Sequence, residues 1–334
     1  MDGTFEENVL LQIKNGPIDF QVREPVNPLF GALKQTNHML EFQVTQEYTG
    51  QQKHICCLLP MWKAVLDFDT KRPLEHSKVK EILSEQSPNP KNSGVAAVVN
   101  VGMDDNWTGH KLAQANLFGY GRLIWNNELS TEDIITEWIE LTFDLDDSAH
   151  HLLKEILVTS YQTYENYTAP LGIGFMVRPN HHYGPDVDGY EYDRWGTYHF
   201  ADRNGIGVNR TAKDGTGYTM QYADYWYEIY ENLATCPDEL VLFFHHLPYE
   251  HILQSGKTVI QHIYDTHFEG YEKVNSYIAD WASLRGQIDE VSYRNVAERL
   301  QEQERSARDW KDQINTYFYR KSGIPDAYGR TIYA

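Results

Sequence analysis

Two short apolar runs, each leading to a lone carboxylate, constrain this chain more than anything else in its first fifty residues. Val9-Leu10-Leu11-Gln12-Ile13 is long enough for one buried strand and ends at Lys14. Gly16-Pro17 breaks the run, and Asp19 stands just past the break. The design then repeats. Residues 39–46 alternate as a strand should and finish at Glu47, just before Tyr48-Thr49-Gly50. Carboxylates at the carboxyl ends of successive strands are what a parallel barrel offers to chemistry.

The next stretch keeps strand–helix order. Pro25 and Pro28 break the connector after Asp19. Residues 55–66 carry apolar side chains on a helical spacing that Pro60 interrupts, with Cys56 and Cys57 expected inside that helix. A short helix is expected over 78–83. Residues 95–101 form a continuous apolar run, the pattern of a strand buried on both faces, and open on an acidic loop bearing Trp107. A helix is then expected over 110–125. This order predicts an α/β fold with a parallel sheet across 1–125.

From 126 to 334 the periodicity is mainly α-helical. Ser130, followed by Glu132 and Asp133, caps a helix through Leu141. Further helices are expected over 147–164, 221–234 and 284–319. The last would span ~50 Å at the usual rise per residue, enough for a packing seam or a dimer surface. Residues 178–217 are dense in glycine, aspartate, histidine and rings, and a loop that long is a functional candidate.

Composition excludes several classes. The 334-residue chain has a net charge of −19, a sign that repels phosphate backbones and anionic membranes. No apolar run approaches the ~20 residues a membrane span needs. No nucleic-acid or membrane partner is therefore expected. Cys56, Cys57 and Cys236 give neither a disulfide framework nor a zinc spacing, which favours a reducing, cytoplasmic location. No secretory leader is visible after Met1. Asp186, Asp188, Asp202 and Asp214 stand beside glycines, but none sits in a twelve-residue calcium loop, so turn chemistry explains them. The adjacent pairs His181-His182 and His245-His246 point different ways on regular structure and do not suggest one metal. No metal or other cofactor is expected.

Asp19 and Glu47 are 28 residues apart, one plausible strand–loop–strand repeat. Paired carboxylates on one barrel rim suit glycoside hydrolysis, with one acid to protonate the leaving oxygen and one base opposite. Lys14 would point into the same rim and could hold a sugar hydroxyl or a carboxylate. The same spacing also fits a turn-capping Asp19, a surface Glu47 and a Lys14 salt bridge.

Three stretches carry a resemblance. They are NVLLQIKNGPIDFQVREP from Asn8, MLEFQVTQEYTGQ from Met39, and HHYGPDVDGYEYDRWGTYHFADRNGIGVNR from His181. Together they closely resemble the α-glucuronidases of glycoside hydrolase family 67. The resemblance implies an inverting hydrolase that removes α-1,2-linked glucuronic acid, or its 4-O-methyl ether, from xylo-oligosaccharides (aldouronic acids derived from glucuronoxylan). It implies the C-terminal part of a (β/α)8 TIM barrel over 1–125 and a helical domain over 126–334 that takes part in homodimerisation. It places Asp19 and Glu47 on the side of the attacking water and Lys14 against the uronic acid. Trp195 would be the ring that covers the sugar.

The family's general acid lies on an earlier barrel strand, to which nothing in these 334 residues corresponds. The chain is thus expected to be the C-terminal half of such an enzyme, beginning near the sixth strand. A second expectation follows: a catalytically incomplete fragment, or one half of a split enzyme, serving as a sugar-binding or dimerisation module. That reading would call for a separate N-terminal half as partner.

Overall fold

The computed structural model describes residues 2–84, 92–100, 103, 105, 106, 108–188 and 199–333. Three parallel strands lie side by side in chain order: β1 (Leu11–Lys14), β2 (His38–Gln43) and β3 (Ser93–Val98). Ile13 sits opposite Leu40, and Lys14 opposite Glu41. Strand alternation therefore puts Ile13, Leu40 and Phe42 on one face, and Lys14, Glu41 and Gln43 on the other.

The first face builds the core. Leu40 and Phe42 are buried, and the Phe42 ring lies 5.5 Å from that of Trp62 on α1 (Leu59–Asp67). Pro60 occupies the first turn of α1, where its missing N–H costs nothing, so it starts this helix rather than interrupting one. Cys56 and Cys57 accordingly precede the helix in irregular chain, free and buried. The short α2 (Val79–Ile82) follows where expected.

Two strand expectations need correction. β2 ends at Gln43, so Glu47 stands four residues beyond it in a loop. β3 is half-buried along its whole length rather than enclosed, because among the described residues no strand pairs with its outer edge. α3 (Gln114–Trp125) packs on α1 and α4, and its Tyr120 reaches the sheet, donating to the Val95 carbonyl at 3.1 Å.

The remainder is helical: α4 (Thr131–Thr142), α5 (Asp147–Thr168), α6 (Asp224–Glu231), the one-turn α7 (Val241–Phe244), α8 (Val259–Ser283) and α9 (Glu290–Ser322). Ser130 caps α4 as expected, and Asp146, Thr258 and Asp289 cap α5, α8 and α9 in the same way. The helix expected from 284 starts at Glu290, because Leu284 to Ile288 turn through Gly286 at φ +90°. α8 was not expected at all. Gly270 interrupts its pattern, and a Cβ there would sit 2.8 Å from the backbone nitrogen of Tyr167, so the glycine lets α5 approach. α9 packs on α8 and α5, fulfilling the packing-seam expectation. The result is a mixed α/β fold with a small parallel sheet and many helices, sharing one continuous core from Ile13 to Phe318.

Candidate active site

Two loops leave the carboxyl ends of β1 and β2, and each is held from below and from the side. Gly16-Pro17 turns the first loop so tightly that a Cβ on Gly16 would lie 2.7 Å from that of Glu24. Glu24 then closes the loop from inside. Its two oxygens accept the backbone N–H groups of Ile18 at 2.6 Å and Gln21 at 2.5 Å, bracketing Asp19. Burial pushes the Glu24 carboxyl up to about 7 against these donors, and the Asp19 charge adds to the rise. Next along, Arg23 makes a two-pronged pair with Glu165 of α5.

Asp19 is satisfied on both oxygens. Lys14, at the end of β1, pairs with Oδ1, and the Tyr48 hydroxyl donates to Oδ2 at 2.9 Å. Glu47 is satisfied too. Gln43, at the end of β2, donates to Oε2 at 2.9 Å, and His182 Nδ1 lies 2.7 Å from Oε1. Lys14 and Gln43 share one sheet face, so both carboxylates hang over the same end of that face.

The Glu47 loop is suspended from the helices. Tyr164 of α5 donates to the Tyr48 carbonyl at 2.9 Å, and Ser160 receives the Cys57 N–H at 2.8 Å. Asn116 of α3 accepts the Leu58 N–H, and Gln303 of α9 accepts that of Ile55. Behind them burial drives His54 down to about 3, so its ring is neutral and carries one N–H. Tyr183 donates to the Glu302 carboxylate at 2.8 Å, which leaves its oxygen to accept from His54 Nε2 at 3.0 Å. His54 Nδ1 must then accept from Tyr167 at 2.8 Å. The buried chain is directed end to end.

His182 and Tyr183 belong to a hairpin-like segment whose ends meet where Val177 bridges Pro185. Phe175, two residues before this segment, stacks its ring on Tyr48 at 4.4 Å, while the His182 ring lies 4.7 Å from Tyr48. Of the residues expected from sequence, Lys14, Asp19 and Glu47 are brought together here. Trp195 lies outside the described residues. Tyr48, His182 and Glu24 were not anticipated. An adjacent histidine pair carries no local signal of this role, since nothing near it in sequence links His182 to a glutamate 135 residues earlier. Among the described residues, no group of three or more His, Cys, Asp and Glu side chains converges as a metal site. Nor is any helix there long and apolar enough to cross a membrane.

Two family models divide the chain between them. Residues 1–107 match the glycosyl hydrolase family 67 middle domain, and 108–331 match the glycosyl hydrolase family 67 C-terminus. The chain belongs to glycosyl hydrolase family 67. Its family 67 relatives include "Probable alpha-glucuronidase A" of Aspergillus flavus, 46% identical over 331 residues, which are 99% of this chain and 40% of that protein. "Alpha-glucuronidase A" of Emericella nidulans is 45% identical over 331 residues, 99% of this chain and 39% of that protein. "Alpha-glucuronidase A" of Aspergillus tubingensis is 46% identical over the same length, 99% of this chain and 39% of its own. The chain thus spans about two fifths of the length of these curated relatives.

Proposed function

We propose that this chain supplies the water-activating side of an α-glucuronidase. The observation that carries the reading is the joint suspension of Asp19 and Glu47 over one sheet face, linked through Tyr48 and His182. The relatives' names supply the activity, and the resemblance supplies the substrate: α-1,2-linked glucuronic acid, plain or 4-O-methylated, on a xylo-oligosaccharide. In an inverting reaction Asp19 and Glu47 orient and deprotonate a water on the face of the sugar opposite the leaving oxygen. The two sides of such a site stand ~6.5–9.5 Å apart. Lys14 supports the uronic acid carboxylate, and Trp195 covers the sugar.

The general acid belongs to the part of the relatives that this chain does not span. The three strands are then the last part of a (β/α)8 barrel within 1–125, and the helices of 126–334 form the domain through which the enzyme dimerises. Without the acid the leaving alkoxide is unassisted, which forfeits ~10²–10⁴-fold in rate.

The test is incubation with 4-O-methylglucuronosyl xylotriose, with and without the upstream half of the enzyme, followed by proton NMR. The β-anomer should appear first when both halves are present and vanish with Asp19→Ala. If the α-anomer appears first, the inverting assignment is wrong. If the reconstituted, folded pair releases nothing, the chain is a sugar-binding or dimerisation module.

A further inference from the structure

His182 lies beyond α5 in the chain yet reaches the Glu47 carboxylate, 135 residues earlier, and the manner of its approach is unusual. Its backbone sits at φ +50°, next but one to Asn180 at φ +64°. Side chains other than glycine adopt this region at a cost of roughly 1–3 kcal/mol, and such residues persist where the surroundings over-determine them. Here the surroundings do so. Tyr183 is tied to His54 and Glu302, and the His182 amide donates to the Arg178 carbonyl at 2.9 Å.

Taken with the hydrolytic reading above, on which it rests, we infer that His182 is a positioning residue of the reaction. It fixes the Glu47 carboxylate and, through the face of Tyr48, sets where Glu47 stands relative to Asp19. The chemistry follows from donor counting. An ionised carboxylate only accepts, so at 2.7 Å His182 Nδ1 must carry the proton that points at Glu47 Oε1. Gln43 fixes the other oxygen, so the Glu47 carboxyl plane is set by two donors. The His182 ring also lies 4.7 Å from that of Tyr48, whose hydroxyl fixes Asp19. One imidazole therefore restrains one carboxylate by a hydrogen bond and the other by ring packing. A water shared by two acceptors needs that fixed separation, since a misplacement of ~1 Å can cost ~10²-fold in rate.

Two measurements test this. Nitrogen-15 NMR of the chain should show a proton on His182 Nδ1 directed at Glu47, with that signature lost in Glu47→Ala. A His182 signal from the Nε2–H tautomer, unmoved by Glu47→Ala, would overturn the assignment. In the enzyme reconstituted with its upstream half, His182→Ala should lower kcat ~10- to 100-fold with KM little changed. His182→Asn, whose amide nitrogen can replace Nδ1–H, should recover to within about threefold. Equal kcat for wild type and His182→Ala would reject a positioning role. If the wild-type pair releases no sugar while the Nδ1 proton is present, it is the hydrolytic reading that has failed.

Discussion

The Tyr164 hydroxyl of α5 donates to the carbonyl of Tyr48 at 2.9 Å, joining the loop beside Glu47 to a helix residue 116 positions later in the chain. Both residues are buried, so the carbonyl has no water to fall back on. The helices thus hold the carboxylate loop in place as well as filling the core.

Tyr164→Phe should cost about 1–3 kcal/mol, the usual penalty for leaving a buried carbonyl unpaired while the ring still packs. Urea unfolding measures it directly. The reconstituted enzyme should also lose turnover, because Glu47 follows Tyr48. Unchanged stability and unchanged kcat would mean that the loop keeps its place without α5.

Arg23 and Glu165 make a second tie between the Asp19 loop and α5, and the Glu165 side chain is only 3% exposed. Burial alone would lower the Arg23 guanidinium, but the facing Glu165 charge more than reverses this and holds it above its ordinary value. Glu165→Ala leaves a partly buried cation without its partner and should cost up to ~3 kcal/mol, below the full cost of a buried unpaired charge because the Arg23 side chain is 24% exposed. Replacing the pair with Arg23→Met and Glu165→Leu should recover much of that loss. A double variant less stable than Glu165→Ala would show that the ion pair is worth more than its desolvation.

Much of the site was legible because strands and their terminal carboxylates are written locally. The run before Lys14, the break at Gly16-Pro17 and the alternation before Glu47 each rest on a few neighbouring residues. Helix caps were readable for the same reason, as Ser130 shows. What sequence did not reveal depends on contacts between distant segments. Gly270 looks like a helix breaker until Tyr167 is seen against it. His182 looks idle until folding sets it beside Glu47. The apolar run from Val95 promised burial on both faces, yet burial depends on what stands next to a strand.

Stability should fall on mild acidification. Burial drives the imidazoles of His54 to about 3 and of His110, His199 and His267 to about 4, against an ordinary 6.5. The unfolded chain therefore binds more protons at these sites, and their contribution is present above pH 6.5 and lost as pH falls toward 4. Glu24 acts the other way. Its carboxyl is raised from 4.5 to about 7, so its contribution is present below 4.5 and lost as pH rises to 7. Four histidines outweigh one glutamate, and the urea midpoint should be lower at pH 5 than at pH 7. A midpoint that rises on acidification would contradict the buried, neutral state of these rings.

The Gly16–Glu24 contact yields the most local prediction. In Gly16→Ala the new Cβ would lie 2.6 Å from Glu24 Cδ and 2.7 Å from Glu24 Cβ, too close for either to stay. The Glu24 stem is involved as well as its tip, so the carboxylate must move away from the Ile18 and Gln21 amides. Asp19 lies between those two amides, and its partners Lys14 and Tyr48 stand on other segments that do not move with it. Gly16→Ala should therefore cost ~1–3 kcal/mol in urea unfolding and also lower kcat in the reconstituted enzyme. Glu24→Gln separates the two effects. It keeps one acceptor for the loop but has no proton to exchange, so stability should lose the part of its pH dependence that opposes the histidines between pH 4.5 and 7. The fall in stability from pH 7 to pH 5 should then be steeper in Glu24→Gln than in wild type. Parallel pH profiles would mean that Glu24 is ionised across this range and holds the loop as a carboxylate throughout.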